Sequence, residues 1–188
     1  SEAFFDAGVV QRGITTHGEE FLIVAYERAS WSESDIGLVS VILLTPHSRG
    51  GVSVAENECH VHMNMLDDER DVLSMREAVE TLLHIVSQES FGAIAHNVYA
   101  DDEGTTTDDL RALSAAELDS WIRLNLRPVS HVAASCSQAV DHKGSLKLVE
   151  GVFVADASIL PRVPPSTPAG PVTIEARRIA RILEGVLA

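Results

Sequence analysis

At 188 residues and 45% hydrophobic, the chain carries enough apolar material to bury a core, as one domain or as a domain with an appendage. Its formal net charge of −14 argues against nucleic-acid and anionic-membrane partners, which are held by clustered Lys and Arg. No apolar run approaches the roughly 20 residues that span a bilayer, so no membrane insertion is expected.

Only Cys59 and Cys136 are present, too few for a disulfide framework, and a reducing, cytoplasmic compartment is the expectation. The opening Ser1-Glu2-Ala3-Phe4-Phe5 lacks the charged and apolar regions of a signal peptide. The first third then reads as sheet. Apolar runs at Phe21–Tyr26 and Ile36–Leu44 predict strands, and Ser48-Arg49-Gly50-Gly51 predicts a turn. In the next strand Cys59, Val61, Met63 and Met65 share one face, with His60, His62 and Asn64 on the other.

From Leu66 to Val86 the period becomes helical, with Val72, Met75, Val79, Leu82, Leu83 and Val86 on one stripe behind an acidic first turn. A weaker strand is predicted over Phe91–Tyr99, followed by an acidic, Thr-rich loop from Asp101 to Asp109. Ser114 and Glu117 form a capping box that opens a helix closed by Pro128. Val149–Ala155 is a compact apolar stretch. The segment from Pro161 to Pro171 holds five of the seven prolines and reads as a stiff loop. A last amphipathic helix is predicted from about Thr173 to Leu187, with Ile174, Ile179, Ile182, Leu183 and Val186 as its buried stripe. The resulting fold class is α+β, an antiparallel sheet covered by helices.

The segment Ser130-His131-Val132-Ala133-Ala134-Ser135-Cys136 draws attention as chemistry. A histidine, the side chain best suited to proton exchange near neutral pH, is followed by small residues that let backbone lie close to a flat ligand. Other readings have weaker support. His60-x-His62 could chelate a metal from one strand face, but Glu58 and Asn64 on that face suit a solvated strand equally well, and no metal is expected. No Gly-x-Ser-x-Gly elbow supports a serine hydrolase. The Asp101–Asp109 acids lack the alternating ligand order of a calcium loop.

The order of motifs resembles the carboxy-terminal half of the glucose–methanol–choline (GMC) oxidoreductases, a family of flavoenzymes. His131 to Cys136 is similar to the family's His-x-x-Gly-Thr-Cys segment, Val140-Asp141 to its Val-Asp step, and Val154 to Pro161 to its Val-Ala-Asp-Ala-Ser-x-x-Pro strand. Ser166 to Gly170 corresponds to a Pro- and Asn-containing loop, and Ala176 to Leu183 to the closing helix. Upstream, Ser48-Arg49-Gly50 resembles a family turn, Asn64 to Asp71 a strand-to-helix step, and Leu113 to Asn125 the helix before the catalytic histidine.

The resemblance implies a substrate-binding sheet domain over residues 1–128 and a flavin-facing tail over residues 129–188. It implies oxidation of an alcohol by proton abstraction and hydride transfer to FAD, with His131 as the base. Asp156, Ala157, Pro168 and Gly170 fall at flavin-facing positions, and a small alcohol is the expected substrate. Ala169 occupies the second catalytic position, where the family keeps His or Asn. That departure, with Ala134 for the family glycine, leaves two alternatives: non-redox chemistry like that of the family's hydroxynitrile lyases, or a non-catalytic binding or assembly domain. No Gly-x-Gly-x-x-Gly loop occurs, so the Rossmann-type part is absent from this chain. The expected partner is an amino-terminal FAD-binding half, and the chain alone should hold FAD weakly or not at all.

Overall fold

A computed structural model describes residues 7–26, 37–95 and 97–187. The predicted strand start at Ile36 and the side chain of Val186 lie outside the described residues. The chain divides into two compact units, 1–49 with 64–127 and 50–63 with 128–188.

In the first unit, β1 (Ala7–Ile14), β2 (Glu20–Tyr26) and β3 (Leu38–Leu43) form an antiparallel sheet in that order, with a register irregularity between Val9 and Gln11. Strand alternation turns Phe21 and Ile23 into the core, where they meet Ala78 of helix α1 (Glu69–Val86). The same helix uses Val72 and Met75 to pack with Leu118 and Ile122 of α4 (Ala115–Asn125). Burying one such side chain is worth about 1.5–3 kcal/mol, so these two clusters carry the unit's stability. α1 starts where the Asp68 carboxylate accepts the Arg70 N–H at 3.0 Å, and α4 starts at the predicted Ser114–Glu117 capping box.

Two expectations in this unit need correction. Among the described residues of 91–99 none lies in a strand: Glu89–Gly92 forms a short helix, α2, and Tyr99 makes an isolated bridge, to Thr106. None of the segment's described residues is buried, and Ile94 is 80% exposed. The acidic loop also ends early, because Thr106 and Asp109 form a second capping box that opens α3 (Thr107–Ala112).

In the second unit, β4 (Gly51–Ala55) and β5 (Glu58–His62) form a hairpin closed by Glu56 and Asn57 at φ 54° and 64°, the left-handed pair that matches strand twist. Gly50 precedes it because a Cβ there would stand 2.2 Å from the His62 carbonyl oxygen. Val149–Ala155 does not make a full strand. Phe153 forms one bridge with Ser145, whose neighbourhood is itself only a short turn–bridge segment. The final helix, α5, spans Ala169–Leu187 and so begins four residues before the predicted start. Pro171 falls in its first turn, where a missing N–H costs nothing. Ile179 is fully buried, but Ile174 is 70% exposed and does not belong to the buried stripe. Among the described residues, no helix is long and apolar enough to cross a membrane.

Candidate active site

His131 follows helix α4 and Pro128, and its side chain is half-buried. Two residues flanking the segment occupy the left-handed region without being glycine: Ser130 at φ 58° and Ala134 at φ 72°. Such conformations cost about 1–2 kcal/mol each and persist only where surrounding bonds enforce them.

For Ala134 such bonds come from the segment around Asp156. The Ala134 N–H donates to the Ala157 carbonyl at 3.1 Å, and the Cys136 N–H donates to the Ser158 carbonyl at 2.8 Å. Ser137 tightens the bend by donating both N–H and hydroxyl to the Ala134 carbonyl, at 3.1 and 2.8 Å. The Asp156 carboxylate accepts the Ser158 N–H at 2.8 Å and the Ser158 hydroxyl at 2.5 Å, which caps a 3-10 turn over Ala157–Ile159. Hydrogen bonds from the Ser158 hydroxyl and N–H hold the Asp156 carboxyl below the usual carboxylate range, against a smaller opposing effect of burial.

The first residues of α5 stand apart from this pair of segments in bonding terms. The Pro168 carbonyl accepts the Val172 N–H at 2.9 Å, and the Ala169 carbonyl accepts the Thr173 hydroxyl at 2.7 Å. Ala169 and Gly170 are exposed, nothing lies within 4 Å of a Cβ built on Gly170, and the first turn holds no acidic residue. Among the described residues, no hydrogen bond joins residues 168–170 to residues 130–136. Farther along, Arg178 pairs with Glu175 at 2.5 Å and donates to the His142 carbonyl, also at 2.5 Å, fixing α5 to the turn at 141–144.

His60 and His62 lie on the exposed hairpin, where His62 Nε2 is 3.3 Å from Ser53 Oγ. Among the described residues, no group of three or more His, Cys, Asp or Glu side chains is placed to hold a metal.

Reading by sequence missed the role of Ser158, although Asp156-Ala157-Ser158 is an Asp-x-Ser pattern of the kind that caps turns. It also missed a buried polar network in the first unit. Asp71 is fully buried and accepts the N–H groups of His47 and Ser48 at 2.7 Å each, and the Ser48 hydroxyl at 2.5 Å. Glu19, also buried, accepts the Ser74 hydroxyl at 2.6 Å and lies 2.6 Å from His47 Nε2. The two carboxylates thereby hold the turn that begins at Pro46.

Residues 46–176, more than half of the chain, match the carboxy-terminal part of the family described as GMC oxidoreductase. The chain belongs to the GMC oxidoreductase family. It is 28% identical over 148 residues to a pyranose dehydrogenase of Agaricus campestris, a match covering 71% of this chain and 24% of that protein. An oxygen-dependent choline dehydrogenase of Paraburkholderia xenovorans is 25% identical over 148 residues, covering 73% and 25%. The chain thus spans about a quarter of the length of the curated GMC relatives it matches.

Among solved structures, a formate oxidase of Aspergillus oryzae shares the fold with a TM-score of 0.70 and 18% identity, over 89% of this chain and 31% of that one. A pyridoxine 4-oxidase from Mesorbium loti aligns at TM-score 0.63 and 18% identity, over 96% and 41%. The α+β class, with small antiparallel sheets and helices and, among the described residues, no Rossmann-type FAD-binding part, is that of the corresponding region of these GMC proteins.

Proposed function

We propose that this chain is the substrate-facing and flavin-facing part of an FAD-dependent enzyme that oxidises a small alcohol, with His131 as the proton acceptor. GMC membership makes the complete protein an FAD-type oxidoreductase in general terms. The observation that carries the finer reading is the pair of backbone bonds from Ala134 and Cys136 to Ala157 and Ser158, which joins the His131 segment to the Asp156 turn.

Bound FAD would supply the hydride acceptor. The chain's own residues would do the rest. His131 would take the hydroxyl proton as the C–H hydride departs, leaving a carbonyl product. Ala133 and Ala134 would let the backbone lie flat against a ring. The backbone at Asp156 and Ala157, with Pro168 and Gly170, would border the cofactor, and the acid-free first turn of α5 suits negative charge. Ala169 has no group able to hydrogen-bond a developing alkoxide, so His131 would act without help from that position. The remaining polypeptide would bring the dinucleotide-binding loop. Two unpaired cysteines, one of them exposed, support a reducing, cytoplasmic setting.

The test is anaerobic addition of small alcohols to the full-length, flavin-loaded protein. Loss of the yellow flavin absorbance supports the proposal. A flavin that no alcohol bleaches contradicts it and favours lyase or binding roles on the same fold.

A further inference from the structure

Asp156 is an exposed residue with an unusual set of commitments. Its Oδ1 accepts both the N–H and the hydroxyl of Ser158, at 2.8 and 2.5 Å. Those bonds close the 3-10 turn, and the turn's two carbonyls, of Ala157 and Ser158, receive the N–H groups of Ala134 and Cys136. Ala134 is held at φ 72°, and Ser130, immediately before His131, at φ 58°. The mechanical path therefore runs from one carboxylate, through a capped turn and two backbone hydrogen bonds, to a strained bend at Ala134, three residues from His131.

From this geometry we infer that Asp156 is a positioning residue for His131: its side chain fixes the turn whose carbonyls clamp residues 134–136. The inference rests on the proposed role of His131. It refines the assignment of Asp156, leaving the backbone of that turn to face the flavin while the carboxylate serves the clamp. Both bonds fall on Oδ1, so one carboxylate oxygen closes the turn through two charge-assisted hydrogen bonds. Its removal leaves no buried hole, because the side chain is exposed, so the consequence should be local loosening and not unfolding.

The experiment compares Asp156→Ala, Asp156→Asn and Ser158→Ala in the full-length flavoprotein by hydrogen exchange at residues 132–137, flavin content and alcohol-dependent flavin reduction. Asn retains an acceptor for Ser158, and Ser158→Ala removes only the hydroxyl donor. The expected result for Asp156→Ala is exchange at Ala134 and Cys136 faster by about tenfold or more. It should also show kcat lower by about tenfold or more, with KM and flavin content little altered. Asp156→Asn should recover most of both losses, and Ser158→Ala should fall between.

Unchanged exchange in Asp156→Ala would overturn the clamp. Faster exchange with undiminished kcat would overturn the positioning role. Equal losses in the Asn and Ala variants, with flavin content reduced, would mean that the negative charge acts on the cofactor directly. If wild type shows no alcohol-dependent bleaching, the proposed function fails, and the positioning role fails with it. The exchange data then report only whether Asp156 holds residues 134–136.

Discussion

Ala134 and Ala157 face each other through a 3.1 Å backbone hydrogen bond, and the residue that donates it sits in a left-handed conformation that its own Cβ disfavours. The GMC pattern keeps glycine where this chain has Ala134, and the φ of 72° supplies the physical reason. Ala134→Gly should therefore raise stability, by about 1 kcal/mol once the greater freedom of glycine in the unfolded chain is subtracted. Urea unfolding measures this, and a lower midpoint for the variant would show that the bend is not strained.

A second glycine test concerns α5. Gly144 has φ 78°, and a Cβ there would meet Ile179 Cδ1 and the Val154 carbonyl oxygen, both at 2.8 Å. Neither the fully buried isoleucine nor the backbone has room to retreat. Gly144→Ala should destabilise the unit by about 2–4 kcal/mol, combining overpacking with left-handed strain. Proteolysis within α5 under native conditions should accelerate in the variant.

Arg76 and Asp119 join α1 to α4 by two parallel bonds of 2.7 and 2.8 Å, with about a fifth of each side chain exposed. The planar fork and partial burial set this pair above an ordinary surface bridge. A double-mutant cycle with Arg76→Met and Asp119→Asn should give a coupling of about 1–2 kcal/mol. A coupling near zero would assign the helix contact to the Met75–Leu118 cluster alone.

Glu19 predicts the acid limb of stability. Burial raises the pKa of this carboxyl, but hydrogen bonds from Ser74, His47, its own backbone and Thr15 outweigh it and hold the group below the ordinary glutamate range. A depressed folded pKa contributes stability above the unfolded value of about 4.3, and that contribution is lost as pH falls through the lower folded value. Glu19→Gln should lower stability at neutral pH and flatten its decline in acid. Equal slopes for wild type and variant below about pH 4.3 would contradict the assignment.

How far these features could be read in advance depended on whether the signal was local. Helix α1 and the Ser114–Glu117 cap carry their own period and capping chemistry; the cap formed as read, and α1 starts at Glu69, three residues after Leu66, because Asp68 caps it. The Thr106–Asp109 cap has the same local chemistry, yet the surrounding acids and threonines read as loop. Phe91–Tyr99 failed because a short apolar run has no intrinsic choice between strand and helix without a partner. Ile174 failed because helical period marks a stripe but not how far along the helix its neighbours extend. The Asp71–Ser48 bonds and the Ala134–Ala157 bond join positions distant in sequence, and no spacing rule encodes them. His131 and Asp156 were recognisable as motif positions. The clamp between their segments became visible only in three dimensions.

The proposed proton acceptor, His131, is the decisive element, and pre-steady-state flavin reduction in the full-length protein tests it most directly. His131→Ala should keep its FAD while the rate of bleaching by alcohol falls about 10²–10⁴-fold, the span that a positioned general base contributes. A variant that retains FAD and is reduced as fast as wild type would remove His131 from the reaction.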